Sequence, residues 1–265
     1  FREKFNLTED VFEATSDMTG DLYLGLGNPL AIQNNSRAVL DGPDLNRSFS
    51  APEIDATPLP SDRPDLVRAR ELAPLLRKID YLFDVHATSN PSEPFVCFDT
   101  ADPSLLALSA VIPVRYILID PNHTYLQVEG VADFCTTDSF VNRFGGQSEN
   151  KNDDSSKRGF ALCYETGEQT DMTRVQQAIA VVGKLLVHTG IVTKDQLDTL
   201  GIPYEPVELA SPSSVYAISH AEVALHTGFN YAPEMNKAWQ VVSKGQLVGH
   251  YPNGEPVYIP EDGMY

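Results

Sequence analysis

FALCYE, Phe160 to Glu165, is a run of apolar residues that closes on a carboxylate. It is continuous where a strand with one wet face would alternate, so it reads as a strand buried on both faces. Four other runs share this texture: LYLGLG (Leu22–Gly27), YLFDVH (Tyr81–His86), PFVCF (Pro94–Phe98) and VRYILI (Val114–Ile119). Strands covered on both faces need helices above and below, and the sequence between the runs has helical spacing. In RPDLVRARELAPLLRKI, Leu72, Leu75, Leu76 and Ile79 recur at i, i+3, i+4 and i+7, with Pro74 expected to kink the helix. In DMTRVQQAIAVVGKLLVHTG, the stripe is Val175, Ala178, Ile179, Val182 and Leu186. Thr170 or Asp171 is its expected N-cap, and Gly190 lies past its end. The alternation predicts an α/β protein, a three-layer α/β/α sandwich around a mixed central sheet.

After about residue 200 the texture changes. GIPYEPVELASPSS is a Pro- and Ser-rich connector, and VYAISHAEVALH, WQVVSKGQLVGHYP and EPVYIPEDGMY are short strand patterns cut by Gly, Pro and Asn. A division into residues 1–200 and a small β-rich domain over 201–265 follows. The polar loop Gly145–Gly159 reads as a solvated loop, with a mobile lid as the alternative. At the other end, FREKFNLTEDVF reads as the tail of a helix.

Composition narrows the function classes. The chain has 265 residues, 42% of them hydrophobic, enough for a full core. Nineteen Lys and Arg stand against 37 Asp and Glu, a net charge of −18. Such a field repels a phosphate backbone, so nucleic acid is not an expected partner. No apolar run reaches the length of a membrane span, and no leader pattern opens the chain. Cys97, Cys135 and Cys163 are widely spaced and fit neither a disulfide framework nor a CxxC metal site, so reduced thiols and a cytoplasmic location are expected.

The binding crevice of an open α/β sheet lies at the carboxyl ends of its strands. There the sequence places His86 after YLFDV, Glu165 after FALCY and Asn28 after LYLGLG. His86 taken alone reads as a rim histidine, and Asp84, two residues back on the same strand face, as its supporting carboxylate. Glu165 follows an apolar run, so desolvation is expected to raise its pKa into the range a general acid or base needs. In GPDLNRSF, Asn46 and Arg47 sit side by side in a turn. A guanidinium fork beside an amide can hold a carboxylate, although a surface salt bridge would use the same residues. Arg37, nine residues before Asn46, is a second cation that could stabilise an oxyanion. A rival constellation, His220, Glu222 and His226, falls on one face of an expected strand over SHAEVALH and reads as its solvent face. It lacks the helical i, i+4 spacing of HExxH.

In order and spacing, GNPLAIQNNSR (Gly27–Arg37), DLNRSF (Asp44–Phe49), DVHAT (Asp84–Thr88) and YETGEQ (Tyr164–Gln169) together resemble the succinylglutamate desuccinylase and aspartoacylase family, whose catalytic fold is that of zinc carboxypeptidases. The resemblance implies a zinc-dependent hydrolase acting on a small anionic N-acyl amino acid, and a Zn2+ cofactor. By the same resemblance His86 is a zinc ligand, and Glu165 activates the attacking water and protonates the leaving amine. Arg37 polarises the carbonyl, while Asn46 and Arg47 clamp the substrate carboxylate. The family's other two ligands come from a His-x-x-Glu motif ahead of the GNP segment. The sequence has none there, so these ligands are expected upstream of Phe1. The alternatives are a metallocarboxypeptidase acting on peptides and a metal-free, non-catalytic anion-binding homologue. The β-rich C-terminal segment is expected to shape the site entrance or a contact between copies of the chain in a homo-oligomer.

Overall fold

The computed structural model describes residues 11–14, 18–39, 42–58, 63–130, 135–147, 158–199, 201–202, 204, 213–221, 228–235 and 237–265. Strand β1 (Val11–Ala14) pairs antiparallel with β2 (Leu22–Gly25). Two sequence expectations change here. Val11 and Phe12, read as the end of a helix, are strand residues whose backbone is in register with Gly25 and Leu24; residues 1–10 lie outside the described residues. LYLGLG, read as a strand of the main sheet, belongs to this separate two-stranded sheet instead. Short helices α1 (Pro29–Gln33) and α2 (Ala51–Asp55) follow, then the longer α3 (Pro64–Leu76). Pro64 opens α3 at its first turn, where a missing N–H costs nothing. Pro74 sits in the last turn, and the helix ends two residues after it.

The main sheet holds β3 (Tyr81–Thr88), β4 (Phe95–Phe98), β5 (Tyr116–Ile119), β6 (Phe160–Glu168) and β7 (Ser214–Ala217). The spatial order is β3-β6-β4-β5-β7, with β4 antiparallel to β6 and the other pairs parallel. The sheet is therefore mixed, as expected. Between the strands run α4 (Pro103–Ser109), α5 (Thr124–Glu129), α6 (Thr137–Phe144), α7 (Thr173–His188) and α8 (Lys194–Thr199). Asp171 does not cap α7 from its own N-cap position, which is Met172, but its side chain accepts from Thr173 N at 3.1 Å.

Alternation along β6 sorts the two faces. Leu162 and Tyr164 join Val96, Phe98, Ile117 and Ile119 under Leu105 and Leu108 of α4 and Val181 and Leu185 of α7. Ala161 faces the other way, with Leu66, Ala69 and Ala73 of α3, Phe140 and Val141 of α6, and Phe49. Phe49 and Phe140 are fully buried with ring centroids 6.0 Å apart. Each such ring contributes about 1.5–3 kcal/mol by leaving water. Cys163 and Glu165 therefore fall on the α3 and α6 face of the strand.

The stripe predicted on α7 is only partly covered. Val175 is exposed, and the stripe lines a largely apolar cavity of about 500 Å³ with Leu22, Leu24 and Val85. Ser214–Ala217, from the segment read as the small β-rich domain, forms the outer strand of the main sheet beside β5. Beyond it, β8 (Asn230–Tyr231), β10 (Leu247–His250) and β11 (Pro256–Tyr258) form one small sheet; β9 (Val241–Val242) and β12 (Gly263–Met264) form another. They close over Met235, Val242, Val248 and Ile259. The strand β7 ends at Ala217, before SHAEVALH begins at Ser219. His220 lies past its end, and Glu222 and His226 lie outside the described residues, as does most of the Gly145–Gly159 loop. Among the described residues, no helix is long and apolar enough to cross a membrane.

Candidate active site at the ends of β3 and β6

His86 and Glu165 are direct register partners across the parallel β3–β6 pair, and Asp84 is opposite Cys163 one step earlier. Four chemically capable side chains are thus stacked on one face. The pairing is further fixed by Thr166 Oγ1, which donates to the carbonyl of His86 at 2.9 Å. Past Glu165 the strand bulges at Gly167, whose φ of 98° favours glycine, before Glu168 pairs with Thr88. A Cβ there would meet the carbonyl oxygen of Ser92 at 2.8 Å, so the β3–β4 connection packs directly on this bulge.

His86 Nε2 lies 3.1 Å from Asp84 Oδ1. Burial pushes the imidazole pKa down, but the hydrogen bond and charge of Asp84, with Glu165 and Asp138, outweigh it and raise the value to about 9. Burial likewise works against ionised Asp84, and its bonds to His86 and Thr137 reverse the sign and lower its pKa. Glu165 shows the opposite balance. Burial raises its pKa, and the positive charges of His86 and Arg37 offset this only in part. The direction expected for Glu165 is the one seen: burial holds this carboxylate, near the end of β6, toward its neutral form.

From Asp84 a string of hydrogen bonds runs to the Asn46–Arg47 turn. Thr137 Oγ1 bonds to Asp84 Oδ2, and the backbone N and Oγ1 of Thr137 both reach Asn46 Oδ1, at 2.8 and 3.0 Å. With its oxygen committed to α6, the Asn46 amide presents its amino group on the opposite side. Arg47 donates to the carbonyl of Asn46 at 2.9 Å and to Tyr125 Oη at 2.8 Å, and its guanidinium lies 5.1 Å from the centre of that ring. Asp44 organises the turn from below: Oδ1 accepts from Asn46 N at 3.0 Å, while Oδ2 accepts from Arg37 Nε at 2.9 Å and Nη2 at 2.5 Å. Arg37 is exposed on this rim, and its charge reaches Glu165.

Arg37, Asn46, Arg47, His86 and Glu165 are therefore brought into one neighbourhood. Asn28 is not a strand-end group; it caps α1 by accepting from Ala31 N at 3.1 Å. Thr137 and Tyr125 escaped sequence reading. The signal available for Thr137 was the TTDS segment, whose capping box with Thr136 and Ser139 starts α6 and aims Thr137 at the sheet. Nothing in the sequence around Tyr125 links it to Arg47, 78 residues away.

The donor set fits a borderline-soft cation. One atom each from His86, Cys163 and Glu165 lie within 4.8 Å of one another, and Glu165 Oε2 is buried without a protein partner among the described residues. Since Asp84 engages Nε2 of His86, Nδ1 is the nitrogen left for a metal. The Cys163 thiol pKa is held well above its ordinary value by hydrogen bonding to Cys97 across the strands, by burial and by the charges of Glu165 and Asp84. Without a cation it stays protonated.

No protein-family model and no curated protein matches the chain. Solved structures do. A succinylglutamate desuccinylase/aspartoacylase from Rhodobacter sphaeroides superposes with a TM-score of 0.60 at 18% identity, over 94% of this chain and 70% of that one. Murine aminoacylase 3 gives 0.58 and 18%, over 91% and 75%. A succinylglutamate desuccinylase from Vibrio parahaemolyticus gives 0.58 and 16%, over 92% and 65%. The chain spans about two thirds to three quarters of the length of these proteins and shares their fold.

Proposed function

We propose that this chain, with the fold of the succinylglutamate desuccinylase/aspartoacylase and aminoacylase structures, is a zinc-dependent amidohydrolase that removes the acyl group from a small anionic N-acyl amino acid. The observation that carries the reading is the pairing of His86 and Glu165 in register, with a buried, unpartnered Glu165 oxygen facing the same space. A bound zinc would polarise the scissile carbonyl and lower the pKa of water to about 7. His86 would hold it through Nδ1, oriented by Asp84.

The remaining work falls to residues of the chain. Glu165, raised in pKa by burial, takes the proton of the attacking water and delivers it to the departing amine. Arg47 and the amino group of Asn46 hold the substrate carboxylate, and Arg37 supplies positive charge near the developing oxyanion. The turn and the strand pair are linked through Thr137, so the clamp and the proton-transfer group are set at a fixed separation. The two further ligands that the resemblance implies, from a His-x-x-Glu motif, have no counterpart within residues 1–26. Residues 1–200 form the proposed catalytic domain, whose sheet Ser214–Ala217 extends; the β-rich remainder borders it.

The test is zinc content together with amide hydrolysis on N-acetyl and N-succinyl amino acids. About one zinc per chain and release of free amino acid are expected. Release of C-terminal residues from peptides with no action on N-acyl amino acids would move the assignment to a carboxypeptidase. Absence of zinc from the native protein would leave an anion-binding homologue.

A further inference from the structure

Trp239 is the only tryptophan in the chain, and its backbone is left-handed, with φ of 62°. A bulky side chain keeps that conformation only where its surroundings over-determine it. Three contacts do so. The indole stacks on Tyr116 with centroids 4.2 Å apart and planes 3° from parallel. It meets Phe95 edge-on at 5.1 Å, and its Nε1 donates to Ser92 Oγ at 3.0 Å.

Each partner leads back to Glu165. Phe95 is the register partner of Glu165 across β4–β6, and Tyr116 is the partner of Phe95 across β4–β5. Register partners share a face, so Glu165, Phe95 and Tyr116 form one row, with the indole packed on its far end. Ser92 lies in the β3–β4 connection, and its carbonyl occupies the space that a side chain at Gly167 would need. Trp239 thus grips the segment that packs on the bulge just after Glu165. It does so from the C-terminal β elements.

We propose that Trp239 is a positioning residue for Glu165, acting through Ser92 and the Gly167 bulge on one side and through Phe95 on the other. The proposal rests on the reading of Glu165 as the proton-transfer group. Proton transfer depends steeply on sub-ångström placement, whereas the Asn46–Arg47 clamp is held through Thr137, Tyr125 and Asp44. Loosening the Trp239–Ser92 contact therefore lowers kcat and leaves KM in place.

The experiment compares the parent protein with Ser92→Ala, Ser92→Thr and Trp239→Phe, measuring hydrogen exchange across residues 160–170 and steady-state turnover of an N-acetyl or N-succinyl amino acid. Ser92→Ala is expected to speed exchange around Gly167 and to lower kcat about tenfold with KM unchanged. Ser92→Thr, which keeps the hydroxyl, restores both, and Trp239→Phe, which keeps an aromatic ring without the donor, behaves like Ser92→Ala. Unchanged exchange in Ser92→Ala overturns the proposal whatever the activity. Faster exchange with unchanged kcat, or a loss confined to KM, overturns it as well. If the parent hydrolyses no N-acyl amino acid, the assigned function falls, and the exchange measurement still decides whether Trp239 controls the Gly167 bulge.

Discussion

His86 and Glu165 face each other across β3 and β6 as direct register partners, although 78 residues of chain separate the ends of the two apolar runs that carry them. Parallel pairing sets both side chains on one face at one height. Asp84, a step earlier, then reaches His86 Nε2 at 3.1 Å, and the polar string to Asn46 begins.

Glu165→Gln keeps the shape of the side chain and removes its ability to accept a proton. We expect kcat to fall by about 10²–10⁴, with zinc content retained. The check is turnover of an N-acyl amino acid beside metal analysis of the same sample; undiminished turnover contradicts the role given to Glu165.

Asp84→Asn leaves His86 in place but removes the charge that orients its ring. Zinc affinity should weaken by about 10–100-fold, and His86→Ala should abolish stoichiometric zinc. Competition with a chromophoric chelator measures both, and equal affinity in parent and Asp84→Asn would rule out the orienting role.

Arg47→Lys retains the positive charge and loses the planar fork that bonds the Asn46 carbonyl and Tyr125. KM for an anionic substrate should rise about tenfold or more, the equivalent of about 1.4 kcal/mol, with kcat little changed. A reduction of kcat at unchanged KM would place Arg47 at the reacting bond instead of on the substrate carboxylate.

Asp138, in the first turn of α6, is buried, and burial raises its pKa from 3.8 to about 6 despite its bond to Thr136, with Asp99 and Asp84 adding to the rise. A carboxyl raised on folding favours the folded state while protonated. Its destabilising effect is therefore absent below about pH 4, grows between pH 4 and 6, and is complete above 6. Asp138→Asn should be more stable than the parent above pH 6, by on the order of 1–3 kcal/mol, and the gap should close as pH falls to 4. Urea denaturation at pH 4, 6 and 8 reads this directly, and a gap independent of pH would show that Asp138 is not titrating in that window.

Local patterns in the sequence were enough for the α/β class and the positions of four of the five main strands, and they singled out Arg37, Asn46, Arg47, His86 and Glu165 as the candidates whose roles are proposed above, because each lies in a continuous apolar run, at its polar terminus or in a turn. The same patterns misplaced LYLGLG, since an apolar run states that a strand forms and not which strand it joins, and they read Val11–Phe12 as helix because the strand that pairs with them lies outside that segment. Ser214–Ala217 shows the same limit: its neighbour in the sheet is β5, nearly 100 residues earlier. It took the folded chain to show that Thr137 joins the site, that Tyr125 backs Arg47 and that Trp239 lies against the row containing Glu165. Those contacts depend on strand register and helix docking, which sum many small packing terms from distant segments. No window of sequence contains both partners of any one of them.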